Sequence, residues 1–352
     1  MRSDKIRRLV PAAVLLLLAA SFSSAAEEYR IRFVLDHSPS AASAEAARDF
    51  KARVEKETGG RVLVELLTPA EYKVKYNGGR GVGRAAVLAR VAAGRLEMCE
   101  TFAGTAGSYH HSLWVLGMPY QFHGDAHAEA VLDGPVGRDL LDGLLTASRK
   151  RGALRGLAFT RAGFAVLASA DPGVRAVKDL RGLRLQVPSD PMSQAVARKL
   201  DAEAVAAPSE AFVPLAQNDL ADAAETTFAD FDEGGLSRAA VAILNTGHSL
   251  VTTLLVINDA FFQTLPEKDR AVVERAAADA ARAQRRASVR ANADARKRLE
   301  AAGVKIVDLT AEDKERLKES LLAILGDVGA MLGIRGQDAI EAIEAAAPKD
   351  AP

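Results

Sequence analysis

The sequence has a single cysteine, Cys99, so the chain cannot form an internal disulfide bond. It also lacks net charge, because 46 lysine and arginine residues balance 46 aspartate and glutamate residues. A chain without net charge has no long-range field to draw it to nucleic acid or to an anionic membrane surface. These absences argue against a disulfide-stabilised protein and against a nucleic-acid-binding one.

Long apolar runs are scarce as well. Beyond residue 26, no apolar stretch approaches the roughly 20 residues that a helix needs to cross a bilayer. The first 26 residues combine four basic side chains, an apolar segment over 9–22 and small residues over 23–26. This order is typical of a secretory signal peptide with cleavage after Ala26, and an uncleaved anchor is the alternative. We therefore expect the mature protein in an extracytoplasmic space, the bacterial periplasm.

Proline and glycine are absent from residues 267–302. Pro266 stands where helices commonly begin, and Gly303 stands where they commonly end. A helix of that length would run on the order of 50 Å, which exceeds the width of one domain of this size. The spacing predicts one long helix that spans two domains. Beyond it, Thr310 and Asp313 resemble a capping pair that begins one further helix.

The residues that are present predict an α/β protein of two domains, since 49% of the 352 residues are apolar and can bury a substantial core. Segments 29–36 and 61–68 have strand character, and 43–60 between them has helical character. The same reasoning predicts helices within 85–98, 125–152, 193–203 and 208–227, and strands at the ends of 85–98 and 208–227 and within 153–169, 177–188 and 304–309. Two α/β lobes around a cleft commonly capture ligands by hinge closure.

Several segments, in this order, resemble the substrate-binding subunit of tripartite ATP-independent periplasmic (TRAP) transporters of the DctP type. They are RVAAGRLEM (90–98), LGMPYQF (116–122), LRGLRLQVPSDP (180–191), PSEAFVPLAQNDLADAAET (208–226), NTGHS (245–249) and INDAFFQTLPEKDRAVVERAAADA (257–280). The resemblance covers nearly the whole mature chain. It implies two α/β lobes joined by crossing strands and by a long helix that spans both lobes.

The resemblance also implies a domain organisation and a function. Lobe I is expected over 27–158 with 251–283 returning to it, and lobe II over 159–250 with 284–345 returning to it, between a signal peptide (1–26) and a disordered tail (346–352). The function implied is an extracytoplasmic receptor that captures a small organic solute in the cleft and delivers it to integral membrane TRAP subunits. No cofactor and no catalysis are expected. A sensor or hydrophobic-ligand scaffold on the same fold, without a permease, is the alternative.

The strand GLRLQVP (182–188) departs from the family pattern. Gln186 and Arg184 alternate with Leu183, Leu185 and Val187, so the two polar side chains share one face of a strand. The family usually carries an arginine at the position of Gln186, which grips a ligand carboxylate. Glutamine cannot supply that charge, so Gln186 is expected to face a ligand whose binding does not depend on one carboxylate. A surface amide is the alternative.

A second basic residue of the family is also missing, because its place is taken by Ala165. Arg161 lies on the same face if the strand is regular, so it is a candidate for the missing cation, as is Arg184. A salt-bridged structural arginine is the alternative. In the next motif Glu225 is kept, whereas Thr226 replaces the family's asparagine.

The remaining candidate ligand-binding residues are Phe212, Phe228, Ser189 and Tyr76. Phenylalanines at helical spacing also suit a core. Together these departures predict a small organic ligand that is less charged or more apolar than the family average. An organic acid is one such ligand.

Two further patterns resemble binding sites. NGGRGVGR (77–84) lacks the Lys-Ser/Thr of a phosphate-binding loop, so a structural or ligand-lining role is favoured. His110 and His111 are adjacent, and His123 and His127 are four residues apart, but no further ligands complete a metal site, so none is expected. His248 is expected to pack and to hydrogen-bond near the crossing between the lobes.

Overall fold

The computed structural model describes residues 28–35, 41–81 and 83–348. The expected signal peptide and its cleavage site lie outside these ranges. The strands within them are β1 (Tyr29–Val34), β2 (Val62–Leu67), β3 (Met98–Phe102), β4 (Leu154–Phe164), β5 (Val166–Ser169), β6 (Arg184–Val187), β7 (Glu203–Ala206), β8 (Ala223–Thr226), β9 (Ala242–Asn245), β10 (Leu250–Asn258) and β11 (Lys305–Asp308).

The α-helices alternate with these strands along most of the chain. They are α1 (Ala41–Glu57), α2 (Pro69–Tyr76), α3 (Arg84–Ala92), α4 (Ala103–Ala106), α5 (Asp125–Asp133), α6 (Pro135–Ser148), α7 (Pro191–Lys199), α8 (Phe212–Gln217), α9 (Phe228–Glu233), α10 (Asp259–Thr264), α11 (Glu267–Ala301), α12 (Ala311–Leu322) and α13 (Ile324–Ala345). A 3-10 helix, His111–Gly117, precedes α5.

The strands form two sheets. The first has the order β2-β1-β3-β10-β4, and the second has the order β11-β9-β5-β8-β6-β7. The chain passes from one sheet to the other where β4 leads into β5 and again where β9 leads into β10. These are the crossing strands expected of the two-lobed fold, and the α/β class predicted from the sequence is correct.

Helix α11 joins the two halves as the absence of proline and glycine predicts. It is 35 residues long. Val273 and Ala277 pack into the core beneath the first sheet, whereas Ala295 and Leu299 pack into the core beneath the second. The helix is therefore shared by both lobes.

Helix α2 is not among the helices that the sequence analysis predicts. It forms because Thr68 and Glu71 build a capping box, in which the Glu71 amide donates to Thr68 Oγ1 and the Thr68 amide donates to the Glu71 carboxylate. Pro69 occupies the first helical position, where a missing N–H costs nothing. The local signal was present in the sequence and was missed.

The C-terminal region contains more helices than the sequence predicts. Thr310 caps α12 through Oγ1, which accepts from the Asp313 amide, as predicted. The single helix expected there is two helices, α12 and α13, and α13 packs on the 3-10 helix 111–117 and on α7. The lobe boundaries remain a prediction. The expected boundary at 158/159 falls inside β4, which stays in the first sheet as far as Phe164.

Among the described residues, none of the helices combines the length and the apolar character that spanning a bilayer requires.

Candidate ligand cavity

A cavity of about 400 Å³ lies between the two sheets. The first sheet contributes β3, β4 and β10, and the second contributes β8 together with the segments that follow β6 and β8. The lining residues are Ser43, Arg84, Glu100, Phe102, Arg161, Ala162, Pro188, Ser209, Glu210, Val213, Pro214, Glu225, Thr226, Thr227, Asp230, Gly234, Leu236, Arg238, Val251 and Thr253. Because both sheets supply walls, the cavity is the interlobe cleft that the sequence predicts.

An irregularity in β4 brings Arg161 to this cavity. Thr252 of β10 pairs with Arg161, and Val251 pairs with Gly163, so Ala162 is an extra residue opposite the partner strand. Such bulges turn side chains away from the regular alternation of a strand. Arg161 and Ala162 both line the cavity as a result. The regular strand assumed in relating Arg161 to Ala165 does not exist here.

Arg161 is buried to 1% exposure, yet its guanidinium is only partly bound by the protein. Nη2 donates to Asp125 Oδ1 at 2.7 Å, and the Asp125 side chain is half exposed. Nε and Nη1 are buried and have no hydrogen-bond partner in the protein. A buried cation with unused donors is costly unless a further acceptor reaches it, so this side chain is suited to an anionic ligand.

Glu100 forms a second polar centre in the wall. It is 5% exposed, and its Oε1 accepts from Ser43, Thr160 and Thr253 hydroxyls at 3.1, 3.2 and 3.4 Å. Ser43 and Thr253 also line the cavity. A carboxylate surrounded by hydroxyl groups can accept hydrogen bonds from the hydroxyl groups of a ligand.

Glu225 and Thr226, at the end of β8, face the cavity from the second sheet. Glu225 Oε2 lies 3.4 Å from His248 Nε2, and His248 Nδ1 lies 2.7 Å from Thr246 Oγ1. His248 is fully buried, so it packs and hydrogen-bonds beside the crossing strands as expected. This chain of contacts holds the Glu225 carboxylate in place against the cavity.

The lining is rich in charge of both signs. Four carboxylates and three guanidinium groups contribute to it: Glu100, Glu210, Glu225, Asp230, Arg84, Arg161 and Arg238. Carboxylates, hydroxyls and a partly bound arginine together suit a ligand that has both an acidic group and hydroxyl groups.

Known proteins share this architecture. The family model described as bacterial extracellular solute-binding protein, family 7, matches residues 33–328. The chain belongs to this family. A solute-binding protein from Verminephrobacter eiseniae is 28% identical to it over 328 residues, which are 92% of this chain and 91% of that protein.

Two solved structures have the same fold as this family 7 member. The sugar acid binding protein DctPAm from Advenella mimigardefordensis, in complex with galactonate, has a TM-score of 0.81 and 23% identity, over 91% of this chain and 99% of that one. A TRAP periplasmic solute binding protein from Chromohalobacter salexigens, with bound D-glucuronate, has a TM-score of 0.80 and 22% identity, over 90% of this chain and 100% of that one. The resemblance to TRAP substrate-binding subunits is confirmed.

Of the predicted ligand-binding residues, Arg161, Glu225 and Thr226 line the cavity, and Gln186 does not. Gln186 is fully buried, and its Nε2 donates to the Ala207 carbonyl at 2.6 Å. Its Oε1 is buried and has no partner. The amide is therefore turned toward the neighbouring backbone rather than toward the cavity.

The other predicted contacts also lie elsewhere in this family 7 structure. Phe212 and Phe228 belong to the core beneath the second sheet, which is the alternative that their helical spacing left open. Ser189 is exposed beyond β6, and Tyr76 is an exposed residue whose hydroxyl donates to Glu65 Oε2 at 2.6 Å. None of the four lines the cavity.

Of the remaining candidates, only the glycine-rich loop contributes a residue to the cavity wall. Arg184 forms a partly exposed ion pair with Asp222 at 2.6 Å, and Ala165 is fully buried, so neither lines the cavity. From the glycine-rich loop 77–84, of which residue 82 lies outside the described ranges, Arg84 reaches the cavity wall.

The histidine pairs do not form a metal site. Within 28–35, 41–81 and 83–348, no group of three or more His, Cys, Asp or Glu side chains could hold a metal ion. His123 and His127 stack on each other, and His127 Nε2 lies 2.8 Å from the Ile343 carbonyl oxygen. They join α5 to the C-terminal helix.

Sequence reasoning missed Glu100, and it predicted the loop 77–84 as structural or ligand-lining without singling out Arg84. Glu100 had a detectable signal, since it is the one charged residue of the strand Met98–Phe102. A charge in a buried strand is costly without partners, and so it commonly marks a site. Nothing in the loop marked Arg84 itself, because an arginine at the start of a helix is commonly a surface residue.

Proposed function

We propose that this family 7 protein binds a hydroxylated organic acid of the sugar-acid class between its lobes. The observation that carries the proposal is the buried guanidinium of Arg161, which keeps two donors free of protein partners at the cavity wall. A ligand carboxylate would satisfy these donors, and charge-assisted hydrogen bonds of this kind are roughly twice as strong as those between neutral groups.

The hydroxyl-rich surroundings support the rest of the ligand. Glu100, Glu225 and Thr226 would accept from or donate to ligand hydroxyl groups, as the carboxylate-and-hydroxyl wall permits. The two structural neighbours hold galactonate and D-glucuronate, each an acid that carries several hydroxyl groups. The expectation of a less charged or more apolar ligand has no support, since Gln186 and the two phenylalanines that contributed to it do not line the cavity, whose wall carries charges of both signs.

A thermal-shift titration with matched pairs tests the proposal. D-galactonate and D-glucuronate are compared with the neutral sugars galactose and glucose. A ligand at 100 times its Kd adds about 2.7 kcal/mol of stability, so the acids should raise Tm by several degrees while the neutral sugars leave it unchanged. Binding of the neutral sugars but of none of a panel of sugar acids would refute the proposal.

We further propose that the protein acts in the periplasm as the receptor for integral membrane TRAP subunits and does not transform its ligand. Family membership and the TRAP receptor among its structural neighbours support this role rather than that of a sensor without a permease. Mass spectrometry of the ligand after prolonged incubation tests the absence of turnover. A chemically changed ligand would make the protein an enzyme.

A further inference from the structure

A second, smaller cavity of about 20 Å³ lies beside the ligand cavity, where elements of the two sheets meet. One wall is formed by 102–104 and by the 3-10 helix, another by Asp190 and Ser193 at the start of α7, and a third by 249–252 at the start of β10. Phe102, Glu225 and Val251 belong to the walls of both cavities. We call this small cavity the junction chamber.

Three polar atoms of the junction chamber walls have no hydrogen-bond partner in the protein. They are Asp190 Oδ2, Ser249 Oγ and Thr252 Oγ1. Their residues are 7%, 9% and 1% exposed, so bulk water does not serve them. Leaving one buried polar group unsatisfied costs about 1–3 kcal/mol, and three such groups around a single small cavity indicate a shared partner.

The size and chemistry of the junction chamber fit one small molecule. A buried water needs about 10–15 Å³ and two to four polar partners. We infer that the junction chamber holds one ordered water molecule, which donates a hydrogen bond to the Asp190 carboxyl group and bonds to the hydroxyl groups of Ser249 and Thr252. Water satisfies all three atoms, because it can donate two hydrogen bonds and accept two.

This water connects parts of the two lobes. Asp190 is fixed to α7, since its Oδ1 accepts from the Met192 and Ser193 amides at 2.9 and 3.0 Å. Ser249 and Thr252 lie on the stretch that crosses into the first sheet. The water therefore positions the start of α7 against the crossing strand, directly behind the wall of the ligand cavity.

The backbone around the junction chamber is packed closely enough to exclude larger occupants. A Cβ atom added at Gly104 would lie 2.9 Å from Asp190 Cβ, closer than such atoms approach in real structures. A cation is the competing occupant, because a carboxylate and two hydroxyl groups also suit a hard metal ion. The experiment below separates the two.

Thr252→Val and Thr101→Val form a matched pair of variants. Thr101 is 2% exposed and its Oγ1 also lacks a partner, but it does not line the junction chamber. Removing an unsatisfied hydroxyl is neutral or stabilising, so Thr101→Val should leave Tm unchanged or raise it. Thr252→Val removes a partner of the water and should lower Tm by about 2 °C, as should Ser249→Ala.

The sign of the Thr252→Val effect decides the inference. A rise in Tm like that of Thr101→Val would mean that the junction chamber is dry and would overturn it. A high-resolution crystal structure should show density about 2.7–3.1 Å from the three oxygen atoms. Contacts of about 2.3–2.6 Å, or a Tm that changes when NaCl or CaCl2 is replaced by choline chloride, would identify a cation and overturn the assignment to water.

Discussion

Two buried arginines, Arg161 and Arg285, lie against the same face of α5 and differ in how completely the protein binds them. Their acidic partners, Asp125, Glu129 and Asp133, are spaced four residues apart on that helix. Arg285 is fully buried and uses all three nitrogens, with Nε on Glu129, Nη1 on the Phe159 carbonyl and Nη2 on Asp133. Arg161 uses Nη2 alone.

This difference shows how a structural and a functional arginine can be told apart. Both are buried, and both have an acidic partner, so burial and ion pairing do not distinguish them. What distinguishes them is the number of donors that the protein leaves unsatisfied. The fully bound Arg285 ties α11 to α5 and β4, whereas the partly bound Arg161 keeps two donors that we propose bind a ligand.

The largest effect is expected from Arg161→Gln. The substitution removes the charge that we propose binds the ligand carboxylate, so the Kd for a sugar acid should rise on the order of 100-fold, or about 3 kcal/mol. Isothermal titration calorimetry measures this change. Asp125→Asn is the control. It removes the charged partner of Arg161 but keeps the guanidinium, so the Kd should rise much less than in Arg161→Gln. An unchanged Kd in Arg161→Gln would remove the distinction between the two arginines.

A buried anion with incomplete partners, Asp190, extends the comparison. Burial raises the pKa of its carboxyl group to about 6, despite the Met192 and Ser193 amides that lower it, and the charge of Glu225 adds to the rise. Between about pH 4 and pH 6 the folded protein keeps a proton that the unfolded chain releases. The protonated Asp190 carboxyl group therefore favours the folded state at low pH. This contribution to the free energy of unfolding, up to about 3 kcal/mol, is lost as the pH rises through about 6.

Asp190→Asn should remove this pH dependence. Urea unfolding of both proteins between pH 4 and pH 7 measures it, because the stability of the parent should fall relative to that of the variant across the window. Parallel curves for the two proteins would show that Asp190 titrates in the ordinary range.

Arg285→Met should destabilise the protein without weakening ligand binding. The variant loses the hydrogen bonds of all three guanidinium nitrogens, but the carboxylate partners are 35% and 41% exposed and can regain water, so we expect a loss of about 2 kcal/mol. Urea unfolding measures the loss, and calorimetry should give an unchanged Kd. A weakened Kd with normal stability would reverse the roles assigned to the two arginines.

The smallest effect is expected from Gln186→Met. The amide makes one hydrogen bond and leaves one atom unsatisfied, so the substitution should cost less than about 1 kcal/mol and change the Kd by less than about threefold. Calorimetry with the same sugar acid measures this. A loss comparable to that of Arg161→Gln would show that Gln186 meets the ligand after all, as its strand position predicts.

The fold was predictable because its signals are local. The alternation of strands and helices, the Thr310 cap and the uninterrupted segment 267–302 are read from neighbouring residues, and the structure has them. The site was less predictable because it depends on contacts between distant residues. The bulge at Ala162 arises where β4 pairs with β10. The Gln186 side chain turns away from the cavity because its amide donates to the carbonyl of Ala207, which lies on another segment of the chain.

The alternation of side chains along a strand predicts which residues share a face, but it does not predict what that face contacts. Alternation correctly separated Gln186 from its apolar neighbours, but the polar face of a strand can meet a neighbouring loop as well as a ligand. Glu100 shows the converse. Its strand is buried on both sides, so its direction could not be inferred until the hydroxyl groups of Thr160 and Thr253 were seen around it.

Helix α11 has a mechanical consequence for ligand release. It is anchored in the cores of both lobes and contains no proline or glycine at which it could bend sharply. A rotation of one lobe against the other would therefore have to bend α11 gradually along its length rather than at a sharp kink.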